Sequence, residues 1–286
     1  RRTWQYPKLL KDSATTHRFS YSFSRHMAYQ ALARKWRPRQ FGEIVGQDHV
    51  VRALTHALEF DRLHHAYLFT GTRGVGKTTI ARILAKAVNC EAILGAEPCG
   101  SCLSCRELDE GRFVDLVEVD AASRTKVEDT RDLLDNVLYA PTRGRYKIYL
   151  IDEVHMLSAH SFNALLKTLE EPPARAVLLL ACSAPGRLLP TIRSRVRRLE
   201  LQPLAEPAMA GWLAAAMPDM AGADRAMLAR IAGGAPGRAL SLAEGEGLAM
   251  ARLAEEALGG VAGSRALALA EAVAGRDVGP MVTFFA

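Results

Sequence analysis

The chain has 286 residues, 49% of them hydrophobic and 24% charged, with a formal net charge of +6. That length supports a packed core in one large or two to three small domains, and a mean hydropathy of −0.01 with this charge content excludes a wholly disordered chain. The longest apolar run, Ala176–Cys182, falls far short of the roughly 20 residues of a membrane-spanning helix, and five cysteines are too few for a disulfide scaffold, so a soluble, cytosolic α/β protein is expected.

Residues 1–26 hold Arg1, Arg2, Lys8, Lys11, Arg18 and Arg25 against one acid, Asp12. No apolar stretch follows, so this is not a secretory signal. Its composition fits an organellar transit peptide, or translated sequence upstream of a start at Met27; we read it as a disordered leader. From Ala28 onward, helices and strands alternate. Asp48 to Phe60 carries apolar residues at helical spacing, with Asp48 placed to cap it. Tyr67 to Thr70 reads as a strand, Thr78 to Val88 as a helix, and Phe113 to Val119 as a strand. Val127 to Leu138 reads as a helix, Lys147 to Ile151 as a strand, and Ala159 to Leu169 as a helix. Ala176 to Ala181 is a buried strand, and Val196 to Leu201 a last one. Such alternation predicts crossover units and a parallel sheet over 27–202. After Pro203 the chain turns Ala-rich, and a small helical domain is expected over 203–247, broken at Gly233-Gly234 and Pro236-Gly237.

Gly71, Thr72, Arg73, Gly74, Val75, Gly76, Lys77 and Thr78 match the P-loop pattern, between a predicted strand and a predicted helix. The glycines let several N–H groups point at one anion, beside the positive end of a helix. Lys77 would reach the β- and γ-phosphates and the Thr78 hydroxyl would take a place on Mg²⁺, with Thr79 next in the nucleotide-binding set. The strand ending Ile151-Asp152-Glu153 supplies two carboxylates. Asp152 would hold the magnesium shell, and Glu153 would orient and deprotonate an attacking water.

Cys90, Cys99, Cys102 and Cys105 follow a C-x8-C-x2-C-x2-C spacing in a polar insert. Two short steps fold three thiolates onto one ion, and Cys90 completes a tetrahedron with no open position, as a structural zinc requires. An iron–sulfur cluster is the alternative. Cys182 lies apart and reads as a core residue.

With these motifs in place, the stretches "YQALARKWRPRQFGEIVGQDHV", "HHAYLFTGTRGVGKTTIARILAKAVNC", "RFVDLVEVDAASRTKVEDTRDLLDNVLYAP" and "YLIDEVHMLSAHSFNALLKTLEEPP" resemble the gamma/tau subunit family of bacterial DNA polymerase III, from about Met27 to Pro173. The resemblance implies an α/β AAA+ P-loop NTPase fold with a parallel sheet and a zinc-binding insert (90–105), then a small all-helical lid domain. It implies ATP, Mg²⁺ and Zn²⁺ as cofactors. It places an adenine-binding edge at Ala33, Arg34, Trp36, Arg37, Pro38 and Val45, and a γ-phosphate sensor at Ser183. Arg195 matches the arginine that completes a neighbouring subunit's ATP site. The second sensor is displaced: Gly237 stands where that family has arginine, with Arg238 one place later, turned by about 100° on a helix.

From about residue 174 to 250, "PARAVLLLACSAPGRLLPTIRSRVRRLELQPL" and "ARIAGGAPGRALSLAEGEGLA" resemble the delta-prime subunit, so a hybrid of motor-type front and stator-type back is one expectation. The implied role is an ATPase subunit of the clamp loader in a bacterial cytoplasm. Its partners would be other loader subunits in a hetero-oligomeric ring, the sliding clamp, and primer–template DNA through its backbone, with no membrane. The alternative role is a non-hydrolysing stator that donates Arg195. Residues 248–286 would begin a truncated helical collar. A branch-migration helicase is disfavoured by the cysteine insert, and no polymerase carboxylate constellation is visible.

Arg124, Lys126, Arg143 and Arg145 are the candidate DNA phosphate contacts. The sequence pI of about 9.2 points to a polyanion, yet the leader carries six cations and one anion, so +5 of the +6 is its own.

Overall fold

The computed structural model describes residues 36–122 and 140–258. The leader, Ala33, Arg34, Arg124, Lys126, the helix expected over Val127–Leu138 and the chain after Leu258 lie outside the described residues. Helix α1 spans Asp48–Glu59, strand β1 Ala66–Thr70, α2 Lys77–Asn89 and α3 Leu103–Glu110. Then come β2 (Leu116–Asp120), β3 (Lys147–Asp152), α4 (Ala159–Glu170), β4 (Ala176–Cys182), the short α5 (Pro190–Arg193) and β5 (Arg197–Glu200). Four more helices follow: α6 (Glu206–Ala216), α7 (Gly222–Ile231), α8 (Pro236–Glu244) and α9 (Gly247–Leu258).

The five strands form one parallel sheet in the order β2-β3-β4-β1-β5. Strand β4 is an unbroken apolar run and β1 is apolar up to Thr70 because helices cover both faces, and every residue of each is buried. Period-two alternation sorts their side chains into two cores. Tyr67, Phe69, Leu150, Val177 and Leu179 pack under α1 and α2 through Leu54, Ile80 and Leu84. Leu68, Ile151, Leu178 and Leu180 face α4 through Leu165 and Leu169. Each such side chain contributes about 1.5–3 kcal/mol when fully buried.

Some expectations shift. Asp48 is the first residue of α1 rather than its cap; Gln47 holds the cap position, and its side chain is drawn off to bond Gln202 at the backbone N–H and C=O. Phe113 is buried but precedes β2, since its carbonyl closes a turn with Leu116 N–H at 3.1 Å. The helical break lies at Gly233-Gly234, both at positive φ (58° and 73°), whereas Pro236 and Gly237 open α8, where proline's missing N–H costs nothing.

Beyond the sheet, Leu204, Met209, Leu213, Leu228 and Leu240 form a third apolar cluster joining α6, α7 and α8. Helix α9 lies against α7 and α8 and adds Leu248, with ion pairs Arg252–Asp224 and Arg230–Glu255 across the contact. Among the described residues, no helix is long and apolar enough to cross a membrane.

Candidate functional site

Parallel β1, β3 and β4 end on one edge, and that edge carries the chemistry. Gly71, Gly74 and Gly76 sit at φ 140°, 82° and 104°, the region open to glycine. A Cβ on Gly71 would lie 2.5 Å from Leu201 O, and one on Gly74 2.7 Å from Arg238 N. The loop therefore curls against the chain entering the helical segment, and Gly237 N–H donates to Gly74 O at 2.9 Å.

Within the loop, Lys77 is 5% exposed and its Nζ donates to Gly71 O and Thr72 O, both at 2.9 Å. Burial pulls its pKa down, opposed by the Glu153 and Asp152 carboxylates. Thr78 Oγ1 donates to Asp152 Oδ2 at 2.8 Å, and Asp152 Oδ1 accepts Glu153 N–H at 3.0 Å. The hydroxyl and carboxylate thus meet, and their oxygens are of the kind that could hold a hard cation.

Glu153 follows at φ 47°, a left-handed conformation that turns its side chain back toward the loop. Its Oε2 accepts Ser183 N–H at 3.1 Å and Ser183 Oγ–H at 2.8 Å, while Oε1 accepts Arg73 Nε–H at 3.2 Å. Burial pushes its pKa up, but the two Ser183 bonds, Lys77 and Arg73 outweigh that and hold it below the ordinary glutamate value. His155 Nδ1 lies 3.3 Å from Glu153 Oε2 and 3.6 Å from Cys182 Sγ. Burial lowers its pKa, Glu153 opposing and Arg187, Arg73 and Lys77 assisting. Sequence reading missed His155, although its place two residues after Glu153 marks it.

Arg73, Lys77, Thr78, Asp152 and Glu153 border a cavity of about 340 Å³. One side is the loop, Gly74 through Thr79 with Arg73, Asp152 and Glu153; the other is Trp36, Arg37, Pro38, Ile44 and Val45. Trp212, Pro236, Gly237 and Leu240 of the helical segment close it, and of these no motif announced Trp212 or Leu240. Ser183 reaches the site through Glu153. Arg238 does not line the cavity; its backbone packs on Gly74 instead. Arg195 is also away from this cavity, bound to Glu170 at 2.9 Å and to Thr191 O at 2.9 Å.

The four cysteine sulfurs lie within 4.8 Å of one another, close to the ~3.8 Å that tetrahedral Zn–S bonds of ~2.3 Å impose. Cys90 ends α2, Cys102 caps α3, and Cys105 is buried in its first turn. Backbone N–H groups of Cys99, Cys102 and Cys105 point at the sulfurs of Cys90, Cys99 and Cys102 at 3.3, 3.3 and 3.4 Å. Bonds from the Cys102 and Ser101 backbones bring the Cys99 thiol down to about 6, whereas burial pushes Cys90 and Cys105 up. A closed thiolate set of this kind could hold a zinc ion.

Two of the candidate DNA contacts make bonds within the fold. Arg143 pairs with Glu107 and lies over the Phe113 ring at 5.5 Å, and Arg145 donates to Ala87 O and Cys90 O, both at 3.3 Å. They tie the cysteine insert to the sheet, because those carbonyls at the end of α2 need donors.

Known proteins resemble this chain. The tau subunit of DNA polymerase III from Salmonella typhimurium is 56% identical over 256 residues, 86% of this chain and 40% of the relative. The tau/gamma subunit from Haemophilus influenzae is 60% identical over 188 residues, 66% of this chain and 27% of the relative. The chain thus spans two fifths or less of the length of these relatives. Among solved structures, the RuvB Holliday junction branch migration motor of Thermotoga maritima shares the fold, with a TM-score of 0.52 at 22% identity, over 75% of this chain and 65% of that one. The expected parallel α/β sheet, with the glycine-rich loop between β1 and α2, is therefore present. The family model described as "DNA polymerase III, delta subunit" matches residues 46–205, and so overlaps the tau likeness on both sides of Pro173. With the P-loop, the Asp152-Glu153 strand end and the cysteine cluster all inside that match of more than half its length, the chain belongs to the DNA polymerase III delta subunit family.

Proposed function

We propose that this chain is an ATP-binding and ATP-hydrolysing subunit of the bacterial DNA polymerase III clamp loader, acting in the cytoplasm to load the sliding clamp onto primed DNA. The observation that carries the reading is the intact hydrolytic set: Thr78 on Asp152 at 2.8 Å, with a buried, ionised Glu153 beside Lys77.

The loop N–H groups and Lys77 Nζ bind phosphate oxygens, Lys77 exchanging the Gly71 and Thr72 carbonyls for the ligand. Thr78 Oγ1 and Asp152 would hold Mg²⁺, which when bound neutralises charge on the phosphates. Glu153 takes a proton from water at a carboxylate oxygen, a role that contributes about 10²–10⁴-fold. Ser183 orients that carboxylate and couples it to the end of β4. Trp36, Arg37, Pro38 and Val45 would enclose the base. Arg195, turned away from its own cavity, would serve the next subunit's site, where such an arginine contributes about a thousandfold or more.

The segments would then be a leader (1–26), a nucleotide-binding domain (27–202) and a helical lid from 203 to 247, with 248–286 opening a collar. Loader subunits in a ring, the clamp and primer–template DNA are the proposed partners, and Cys90, Cys99, Cys102 and Cys105 the proposed zinc ligands. A second reading, a delta-prime-like stator, is favoured by one observation: Arg238 stands outside the cavity. ATP turnover, measured alone and with partner subunits, clamp and primed DNA, separates the two. Turnover that survives Lys77→Ala would sink the motor reading. Binding without turnover under every partner condition favours the stator.

A further inference from the structure

The cysteine cluster has an attachment that none of its sulfurs makes. Between Cys90 and Cys99 the chain folds back on itself, Leu94 and Glu97 exchanging both backbone hydrogen bonds at 3.1 Å. Ala96 and Pro98, on either side of Glu97, are buried. The Glu97 side chain is thereby aimed at a single place. Its Oε2 accepts Phe41 N–H and its Oε1 accepts Gly42 N–H, both at 2.8 Å, and Gln40 Nε2 donates to Pro98 O at 3.2 Å.

Phe41 and Gly42 open the short 3₁₀ turn Phe41–Glu43, so their N–H groups have no acceptor inside it. The Phe41 ring is 1% exposed and locked in the core with α1 and α2. On either side of this turn, Arg37 and Pro38 before it and Ile44 and Val45 after it line the cavity. One carboxylate, two residues before Cys99, therefore pins the midpoint of the cavity wall opposite the P-loop. At the other end of the insert, Cys99 N–H donates to Cys90 Sγ at 3.3 Å, and Cys90 terminates α2, whose first turn carries Lys77 and Thr78. The insert thus bonds the wall opposite the P-loop directly, and is joined to the P-loop only through the length of α2.

We propose that the cysteine module is a positioning element of the nucleotide site: the metal-held loop sets the wall of Arg37, Pro38 and Val45 through Glu97, so that metal occupancy governs nucleotide affinity. The proposal rests on reading the cavity as the ATP site. A metal-free loop can fold in many ways, and Glu97 then meets the Phe41 and Gly42 amides only part of the time.

The test uses the full chain and its Glu97→Ala variant, with bound zinc quantified by elemental mass spectrometry. The variant is expected to keep its zinc, to exchange the Phe41 and Gly42 amide protons about tenfold faster, and to bind a fluorescent ATP analogue about tenfold more weakly. Zinc-stripped wild type should show both changes, and stripping should add little to those in the variant. Unchanged amide exchange in a zinc-loaded Glu97→Ala chain would overturn the proposal, as would faster exchange with unaltered nucleotide affinity. Wild type that binds no nucleotide would instead defeat the ATP reading, and amide exchange at Phe41 and Gly42, measured without nucleotide, would still decide whether Glu97 holds that wall.

Discussion

Thr78 Oγ1, in the helix that follows β1, donates to Asp152 Oδ2 at the end of β3 at 2.8 Å although those two strands are not neighbours: β4 lies between them. The bond closes the sheet's working edge from above, and Ser183, at the end of the intervening β4, closes it on Glu153. Three strand ends thus report to one site.

Removing the hydroxyl should separate magnesium use from folding. Thr78→Val is expected to lower Mg²⁺-dependent ATP turnover at least about a hundredfold, while costing about 1 kcal/mol of stability from one lost hydrogen bond. A magnesium titration of turnover checks this, and an unchanged Mg²⁺ dependence would remove Thr78 from the metal site.

Glu153→Gln should retain nucleotide binding and lose turnover. Ser183→Ala deletes a hydrogen bond to the ionised carboxylate, so the Glu153 pKa should rise. A base is active above its pKa, so the acidic limb of the turnover–pH profile should move to higher pH. A limb that stays in place would show that Ser183 does not tune the base.

Asp115 is fully buried and accepts the Thr142, Arg143 and Gly144 N–H groups at 2.7, 2.7 and 2.6 Å. Burial pushes its pKa up, but those three backbone bonds outweigh this and hold it below the usual aspartate value. A depressed folded-state pKa stabilises above the unfolded value, about 3.9, and that stability is lost as pH falls through the folded value. Asp115→Asn should cost about 2 kcal/mol at pH 7 and flatten the acid end of the stability curve. Denaturant midpoints at neutral and acid pH read both effects.

Cys102→Ser should sharply weaken zinc binding and destabilise the insert, since binding free energy here is folding free energy. In the intact chain, zinc uptake at pH 7 should release protons, with Cys99 contributing little because its thiol already titrates at about 6. Proton release measured in weak buffer during zinc titration tests this. Equal release from a Cys99→Ser chain that still binds zinc would agree, and a large fall would not.

Arg195→Ala should leave nucleotide binding by the isolated chain unchanged, because the side chain sits on Glu170 and Thr191 rather than at its own cavity. In an assembled ring it should depress the neighbour's turnover about a thousandfold. Equal loss in the isolated chain would place the residue in its own site.

Local chemistry was legible from the order of residues alone. Three glycines at fixed offsets before Lys77 demand a curled loop, unbroken apolar runs demand strands covered on both faces, and two x2 cysteine steps demand a common ion. Each of these signals lies within a dozen residues, where covalent geometry and side-chain period control the outcome. Pairings across long separations were not legible. Arg143 and Arg145 looked like free cations until the fold set them against Glu107 and the end of α2; the displacement of Arg238 was legible, but its backbone contact with Gly74 was not. Nothing in the sequence singled out Glu97, and only the tertiary fold brought it to Phe41 and Gly42, 56 and 55 residues away. Sequence determined which groups this protein has and which local shapes they take, whereas the packing of sheet, insert and helical segment decided which charges meet, because a hydrogen bond acts over about 3 Å and has no memory of chain distance.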